Sequence, residues 1–361
     1  MRTTKFARVI VAAVVMVVIV GAAIAWALRG GTDGPEPATA RNAPAPAPST
    51  AGPTPPPGAD ITGPLDLLLI GVDTRVSIPD WPPHADAIML LHIDEDLRGG
   101  YLYSLPRDLR VDVPAFARNG FPGGNHKITE AMTYGAKAPG KPTADVAQGY
   151  DLLTQTISAY AGIDADAGAV LTFGGLSRLT DALGGVTLTI DQRVVSQHRR
   201  PDGSARAPLP GGGGYVGPQA TYLPGTRRLV GWQAIDYARQ RYTAGGDYTR
   251  QRHQRQLVEA LLTRAADDGL ATDRVKFDSV IAALGDTLVF SGKRTAIEYA
   301  YALRHLTPSS LTLVGLPGRS VYFDGAYIGE ELDATGRGFL RAVAVGEPGA
   351  YLSRHPELVN N

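Results

Sequence analysis

Three short apolar runs between residues 65 and 108 constrain the fold of this chain more than any other feature. They cover residues 65–71, 87–93 and 101–105. Each has the length of a β-strand and is apolar at nearly every position, which is typical of strands buried on both faces of a sheet. Because strands that are neighbours in sequence commonly pair antiparallel, we predict a three-stranded meander within a larger sheet.

Charged residues stand at the ends of these runs. Asp73 and Arg75 follow the first run, and Asp86 precedes the second. Arg107 and Asp108 follow the third. In an antiparallel meander these positions lie at one edge of the sheet, where loops held by a rigid scaffold commonly bind ligands. We therefore predict a ligand site at this edge; the alternative is that these residues are ordinary solvated charges in turns.

The composition and the missing motifs exclude several classes of function. The 361-residue chain has a formal net charge of zero, which gives no support for a nucleic-acid-binding surface. It has no cysteine, so disulfides, CxxC redox sites and thiolate metal sites are excluded. It also lacks a P-loop, a GxGxxG motif after a strand, a GxSxG elbow and an HExxH motif. The seven histidines are scattered without the spacing of metal ligands.

The first 61 residues predict a membrane anchor and a spacer. Residues 9–28 form an unbroken apolar run that is long enough to cross a bilayer, so residues 1–29 are predicted to be a cytoplasmic tip and a transmembrane helix. The cations before this run predict a cytoplasmic N-terminus and an extracytoplasmic remainder. A cleaved signal peptide is the alternative, but the run exceeds the usual length of a signal-peptide core. Residues 30–61, rich in Pro, Ala and Gly, predict a disordered linker.

After the meander, helical and strand patterns alternate along the chain. This alternation predicts an α/β fold, a three-layer α-β-α domain with a mixed central sheet, over residues 62–345. Residues 197–218 are predicted to form a mobile loop, and residues 346–361 a frayed tail. The predicted helices cover residues 127–135, 146–160, 174–183, 230–238, 250–266, 274–284, 295–306 and 332–345, and the predicted strands cover residues 169–173, 186–190 and 311–316.

Seven arginines lie between residues 227 and 255, against two aspartates. Arginine is suited to bidentate binding of phosphate, so this cluster indicates an anion site; a solvated surface cluster is the alternative. On a helix that starts near Asp247, with this aspartate expected at the N-cap, Arg250 and Gln254 share a stripe with apolar residues and should point into the protein. A buried arginine without a partner is costly, which favours an anion beside it.

The remaining arginines of this cluster differ in their expected orientation. Arg252 and Arg255 face away from the apolar stripe and are predicted to be solvated. Arg239 and Arg241 would be splayed by about 200° on a helix, so they can share a target only if the helix ends near Ala238 and the chain then extends. Aspartates together with arginines, without a nucleophilic triad or soft ligands, suit Mg²⁺-assisted chemistry on a phosphate or pyrophosphate.

Six segments are informative in their order as well as in their residues: Gly71-Val-Asp-Thr-Arg75, Ala85-Asp-Ala-Ile-Met89, Ser104-Leu-Pro-Arg-Asp108, Lys127-Ile-Thr-Glu-Ala131, Tyr237-Ala-Arg-Gln-Arg241 and Asp247-x-x-Arg250-x-x-x-Gln254. Together with the N-terminal anchor, they resemble the LytR-CpsA-Psr (LCP) family over about residues 62–345. The resemblance implies a membrane-anchored phosphotransferase of Gram-positive envelopes, with one α-β-α domain. Such enzymes move a polyprenyl-diphosphate-linked glycopolymer (teichoic acid, capsular polysaccharide or arabinogalactan) onto a peptidoglycan hydroxyl and release polyprenyl phosphate.

Carried over by motif, the resemblance implies a role for individual residues. Mg²⁺, or Mn²⁺ in its place, would be held by Asp73 and Asp86. Asp108 would brace the site, and Asp247 would orient the arginines. The residues implied to bind pyrophosphate are Arg75, Lys127, Arg239, Arg241, Arg250 and Gln254. Those implied in catalysis are Arg107, Asp108, Arg239, Arg241 and Asp247. The residues expected to line an apolar groove for the polyprenyl tail are Leu152, Ile157, Leu176 and Leu179.

The sequence departs from the family pattern at two positions and leaves two other functions open. Thr129 stands where the family usually has asparagine, and Ala136 where it has a second glycine. Both changes bear on recognition of the acceptor or the glycan more than on the chemistry. The alternatives to a transferase are a hydrolase of the same polyprenyl diphosphate and a non-catalytic lipid-glycan binding or regulatory module. The implied partners are the lipid-linked donor, the peptidoglycan acceptor and the membrane, without nucleic acid.

Overall fold

A computed structural model describes residues 57–73, 82–141, 143–211, 213–268, 279–280, 282–284 and 287–359. The predicted transmembrane helix, most of the predicted linker, Arg75 and most of the predicted helix 274–284 lie outside these ranges. Within them, no helix combines the length and the apolar character that a membrane span requires.

The described residues form sixteen strands and the α-helices given below, with two long runs of consecutive strands, β1 to β5 and β7 to β12. The strands are β1 (Leu65–Val72), β2 (Ala85–Ile93), β3 (Gly100–Leu105), β4 (Arg110–Val113), β5 (Gly124–Lys127), β6 (Ala167–Thr172), β7 (Val186–Ile190), β8 (Val194–Val195), β9 (Ala207–Pro208), β10 (Tyr215–Val216), β11 (Thr221–Tyr222), β12 (Gly225–Leu229), β13 (Leu288–Gly292), β14 (Leu311–Val314), β15 (Gly318–Phe323) and β16 (Ala326–Leu332). The α-helices are α1 (Ile128–Gly135), α2 (Val146–Ala161), α3 (Phe173–Ala182), α4 (Gly231–Arg239), α5 (Gly246–Asp267), α6 (Ala296–Ala302), α7 (Ala334–Ala344) and α8 (Pro348–Arg354).

The predicted meander is the middle of a six-stranded mixed sheet. β1 pairs antiparallel with β2, and β2 antiparallel with β3. The full order is β13-β6-β1-β2-β3-β14, in which β6 runs parallel to β1 and β14 parallel to β3. The predicted mixed α/β fold with a central mixed sheet is therefore confirmed.

Successive side chains of the central strands enter two separate cores. Leu67, Met89 and Leu91 belong to a cluster that includes side chains of α3, α4, α5 and α6. Leu68 and Ile70 belong to a second cluster, which includes side chains of α1, α2, α7 and α8. Because neighbouring residues of a strand point to opposite faces, helices cover both faces of the sheet. This two-sided burial explains the continuous apolar runs of the sequence.

The end of the chain differs from the prediction of a frayed tail. Helix α8 is followed by a 3₁₀ turn at Pro356–Leu358, and Val359 forms a β-bridge with Val314. Leu358 is fully buried in the second core cluster. The short amphipathic pattern of this segment gave no sign that it packs against the edge of the sheet.

The buried position of Leu358 leads to a prediction on stability. Leu358→Ala should lower the free energy of unfolding by about 2 to 5 kcal/mol, because it removes a filled core position. Denaturant unfolding measures this change. Val345→Ala is the matched control, since Val345 is 71% exposed and its truncation should change stability little. Equal stability of the two variants would mean that the C-terminal segment does not contribute to the core.

One further prediction on local structure was wrong, and another held only in part. Arg255 was expected to be solvated, but it is 2% exposed, because the turn of α5 that carries it is covered on more than one side. Most of the described part of residues 197–218 is irregular, as predicted, but it also contains the short antiparallel pair β9–β10 and a β-bridge between Arg199 and Ala205. The guanidinium of Arg206 holds this segment by donating hydrogen bonds to the carbonyls of Gln197, Tyr215 and Gly217.

Candidate active site

The edge of the sheet where β1 and β3 end opens into a polar cavity of about 800 Å³. Asp73 directly follows β1, Asp86 is the second residue of β2, and Arg107 and Asp108 follow β3. The antiparallel pairing of Val72 with Ala85 brings the first two carboxylates to the same end of the sheet. The predicted site residues that line the cavity are Asp73, Asp86, Arg107, Asp108, Lys127, Arg239, Arg241, Arg250 and Gln254.

Arg107 lies between two carboxylates. Its Nη1 donates a hydrogen bond to Oδ1 of Asp86, and its Nε lies 3.9 Å from Oδ1 of Asp108. Burial lowers the pKa of Arg107, but the charges of Asp86 and Asp108 outweigh this effect and raise the pKa above its ordinary value. Nζ of Lys127 lies 3.4 Å from the same Asp108 oxygen. Asp108 thus contacts two cations, an arrangement suited to holding them in place.

Arg239 reaches the cavity from the last turn of α4. Its Nη2 donates a 2.8 Å hydrogen bond to Oδ2 of Asp73, and its guanidinium lies 4.4 Å from the centre of the Phe173 ring. The next residue, Gln240, has extended backbone angles, so the helix ends where the sequence argument required. Arg239 and Arg241 can consequently both line the cavity.

Gln240 fixes the backbone between these two arginines. It is 1% exposed, and its amide nitrogen donates a 2.9 Å hydrogen bond to Oδ1 of the buried Asp236. Its amide oxygen accepts a hydrogen bond from the backbone N–H of Gln197. Tyr222 donates to the other carboxylate oxygen of Asp236. Because the side chain of Gln240 points inward, its two arginine neighbours are turned towards the cavity.

Helix α5 supplies Arg250 and Gln254, and both are buried as predicted. Gly245 and Gly246 have φ angles of 83° and 56°, a conformation that glycine adopts readily, and they turn the chain into the helix. Asp247 lies in the first turn rather than at the N-cap. It does not line the cavity, but its Oδ1 lies 2.8 Å from Nη2 of Arg250.

Three buried polar atoms at the cavity indicate that its ligand is polar. Nε of Arg107, Nε of Arg250 and the hydroxyl of Thr129 have no hydrogen-bond partner within the described ranges. Buried donors are almost always satisfied, so these atoms fit an anion or ordered water in the cavity. Burial also lowers the pKa of Arg250, against the opposing charge of Asp247.

An apolar pocket adjoins the polar cavity. Phe173, Arg239 and Gln254 line both spaces. The pocket has a volume of about 90 Å³ and lies between the sheet and helices α3, α4 and α5. Of the residues predicted for a lipid groove, Leu176 and Leu179 line it.

The prediction that Leu152 and Ile157 line the same groove was wrong. They are buried in the core cluster on the opposite face of the sheet. The amphipathic stripe of α2 shows that its apolar face is covered, but it does not tell which face of the sheet covers it.

The carboxylates fit a divalent metal ion only in part. Among the described residues there is no group of three or more His, Asp or Glu side chains that could hold a metal. Asp73 and Asp86 each use one carboxylate oxygen on an arginine and line the cavity. Mg²⁺ commonly binds through one or two carboxylates and completes its shell with substrate phosphates and water. Two carboxylates beside an anion site fit that mode of binding.

Several residues at or beside the cavity were not predicted, because most of them belong to none of the charged motifs. Tyr327 does not line the cavity but contacts two residues that do, since its hydroxyl lies 3.3 Å from Oδ2 of Asp108 and Nζ of Lys127 lies 4.8 Å from the centre of its ring. It comes from the β15–β16 hairpin, which is distant in sequence and has no motif of its own. The unpredicted residues that line the cavity include His84, Gln197, His198, Tyr215 and Tyr242, and also Glu130, which lies within the Lys127–Ala131 segment.

Comparison with known proteins places the chain in a family. The model of the LytR_cpsA_psr family matches residues 38–334. The chain belongs to this family. Two curated relatives are Biofilm regulatory protein A of Streptococcus mutans, 27% identical over 231 residues, and the probable cell wall biosynthesis protein LcpB of Corynebacterium glutamicum, 29% identical over 216 residues. These alignments cover 62% and 56% of this chain and 49% and 42% of the relatives, so the chain spans about half the length of either relative.

Solved structures of similar fold agree with this family membership. One is TagT of Bacillus subtilis bound to LI-WTA, with a TM-score of 0.54 and 20% identity. The match covers 79% of this chain and 90% of that one. At 20% identity, the similarity to TagT shows that this chain has the same fold, but it does not show that the chain binds the same ligand.

Proposed function

We propose that this LytR_cpsA_psr protein transfers a glycopolymer from a polyprenyl-diphosphate carrier to a hydroxyl of peptidoglycan. The observation that carries the proposal is the junction of two spaces at Phe173, Arg239 and Gln254. On one side lies a cavity lined by four arginines, a lysine and carboxylates, and on the other an apolar pocket. A pyrophosphate with an isoprenoid tail has these two chemical characters in adjacent parts. The relative LcpB, whose name refers to cell wall biosynthesis, supports a role of this kind.

The proposed reaction needs electrostatic stabilisation rather than a covalent enzyme intermediate. The acceptor hydroxyl oxygen forms a bond to the phosphorus that carries the glycan, and the bond from that phosphorus to the bridging oxygen breaks. The products are a glycan–peptidoglycan phosphodiester, polyprenyl phosphate and a proton. Negative charge increases on the phosphoryl oxygens during transfer, and preorganised arginines stabilise it. Arg107, Arg239 and Arg250 are already held by Asp86, Asp73 and Asp247.

A divalent ion is part of the proposal. When bound by Asp73 and Asp86, Mg²⁺ would neutralise charge on the pyrophosphate. We expect EDTA to reduce polyprenyl phosphate release to background and Mg²⁺ to restore it. Asp73→Asn should raise the Mg²⁺ concentration for half-maximal rate about tenfold or more, since it removes a charged ligand. Full activity in EDTA would contradict the metal requirement.

The location of the reaction follows from the N-terminal sequence. We propose that residues 9–28 anchor the protein in the cell membrane as a single span with a cytoplasmic N-terminus. The catalytic domain would then lie outside, on the side where peptidoglycan is found. Protease added to intact protoplasts should digest the domain; protection from protease would contradict this topology.

Acceptor dependence distinguishes transfer from the other two functions. The assay uses the full chain in detergent, a polyprenyl-diphosphate-linked saccharide and Mg²⁺, with and without peptidoglycan fragments. We expect release of polyprenyl phosphate only when the acceptor is present. Equal release without acceptor would indicate a hydrolase. Tight binding of the donor without turnover, across several donor glycans, would indicate a binding or regulatory module.

A further inference from the structure

The β15–β16 hairpin presents exposed aromatic rings beside the cavity. Tyr322 and Tyr327 are paired across the two strands, so they lie on the same face, with ring centres 5.9 Å apart. They are 63% and 41% exposed. Phe323 follows Tyr322 in the strand and is 73% exposed, but it projects from the opposite face because side chains alternate along a strand. We call the surface formed by Tyr322 and Tyr327 the aromatic face.

The aromatic face is joined directly to the wall of the cavity. The hydroxyl of Tyr327 lies 3.3 Å from Oδ2 of Asp108, and Nζ of Lys127 lies 4.8 Å from the centre of its ring. The backbone N–H of Glu330 donates a 2.8 Å hydrogen bond to the carbonyl of Asp108. A ligand lying on the aromatic face would therefore extend to the phosphate-binding residues.

A buried carboxylate holds the aromatic face in position. Glu330 is 6% exposed, and its Oε1 accepts hydrogen bonds of 2.9 Å from Tyr327 and from Ser320. The hydroxyl of Tyr248, from helix α5, lies 3.3 Å from Oε2. Burial and these acidic neighbours raise the pKa of Tyr327, so its hydroxyl stays protonated and remains a donor. The orientation of the Tyr327 ring is thus set before any ligand binds.

The charge of the hairpin bears on whether the exposed aromatic rings bind a membrane surface or a saccharide. Residues 318–332 contain one arginine, Arg319, against three carboxylates, Asp324, Glu330 and Glu331. Asp324 lies at the turn, next to Phe323. Glu330 is buried and Glu331 pairs with Arg319, so the charge at the tip comes from Asp324, and such a tip is repelled by the anionic surface of a membrane. The aromatic face suits an uncharged ligand whose C–H groups pack on the tyrosine rings and whose hydroxyls form hydrogen bonds with the phenol groups. Saccharides have this chemistry.

We propose that the aromatic face binds the glycan strand of the acceptor, with sugar rings packed on Tyr322 and Tyr327. That this glycan is the acceptor, rather than another saccharide, rests on the proposed function. The position of the face beside Asp108 and Lys127 directs a sugar hydroxyl towards the phosphate-binding arginines. The acceptor would then lie beside Asp108 and Lys127, whereas the donor lipid would lie in the apolar pocket beside Phe173, Arg239 and Gln254.

Binding of a soluble, uncrosslinked peptidoglycan glycan fragment tests this proposal without donor or turnover. Isothermal titration calorimetry with the full chain in detergent compares the wild type, Tyr322→Ala and Phe323→Ala. We expect Tyr322→Ala to weaken binding about tenfold, the usual loss for one stacked ring. Phe323→Ala is the matched control and should bind within about twofold of the wild type, because its ring lies on the other face. Thermal unfolding checks that each variant is folded.

The outcomes separate this inference from the proposed function. Equal affinity of Tyr322→Ala and the wild type, equal losses in both variants, or no binding by the wild type would overturn the aromatic face as a glycan site. Quenching of a Tyr322→Trp variant by bilayers with brominated acyl chains, beyond that of the parent chain, would show that the face enters the membrane and would also overturn it. Selective loss in Tyr322→Ala would support it, even if no transfer to peptidoglycan were found.

Discussion

Replacing Arg107 by alanine is expected to lower the rate of polyprenyl phosphate release about 10³-fold, the effect of removing one preorganised charged donor from a transition state. Arg107 lies at the end of β3, donates to Asp86 and is close to Asp108. Its loss removes a cation from the phosphate cavity and leaves two carboxylates there without their shared partner. Steady-state kinetics with a lipid-linked donor, Mg²⁺ and acceptor measures the change.

The matched control for this variant is Arg118→Ala. Arg118 is also an arginine paired with an aspartate, Asp151, but its side chain is 62% exposed and does not line the cavity. We expect its rate to stay within about twofold of the wild type, since exposed ion pairs contribute little. If Arg107→Ala remained folded and kept a rate within about threefold of the wild type, the cavity would not be the phosphate-transfer site.

Removing Asp247 should cause the largest loss of stability among the site variants. Arg250 is 4% exposed, and Asp247 lies 2.8 Å from it. Asp247→Ala leaves a buried guanidinium without this charge, and breaking such a pair from one side costs about 3 kcal/mol. The loss is measured by denaturant unfolding. Glu331→Ala, which breaks a more exposed pair with Arg319, should cost less than about 1 kcal/mol.

A double variant separates the stability effect from the function of Arg250. Replacing a buried ion pair by apolar residues is often neutral, whereas removing one partner is not. Asp247→Ala with Arg250→Met should therefore recover most of the stability lost in Asp247→Ala, while donor binding stays weak because the phosphate-binding cation is gone. Recovery of donor binding in the double variant would show that Arg250 acts only in folding.

The sequence predicted the parts of the site that local patterns determine. The meander places Asp73, Asp86 and Arg107 at one edge because three buried strands with short connections can pair in few ways. The spacing of Arg250 and Gln254 on an apolar stripe predicted their burial, which the structure confirms. In each case the pattern and the resulting contact lie within one element or between neighbours in sequence.

The parts that the sequence did not predict depend on contacts between distant segments. Leu152 and Ile157 lie on a helix whose apolar face could cover either side of the sheet, and it covers the side away from the lipid pocket. Tyr327 reaches Asp108 only because β16 packs beside the end of β3, through a bridge between Leu109 and Glu330. The sequence of this hairpin gives no indication of the segment against which it packs.

The most direct test of the central claim is the stoichiometry of the two products in one reaction. The full chain in detergent is incubated with a lipid-linked glycopolymer, peptidoglycan fragments and Mg²⁺, and mass spectrometry measures polyprenyl phosphate and the glycan–peptidoglycan phosphodiester. If the protein is a phosphotransferase, the two products should form in equal amounts, and the formation of both should depend on Arg107. Polyprenyl phosphate formed without the phosphodiester, or neither product from a folded protein that binds the donor, would contradict the account.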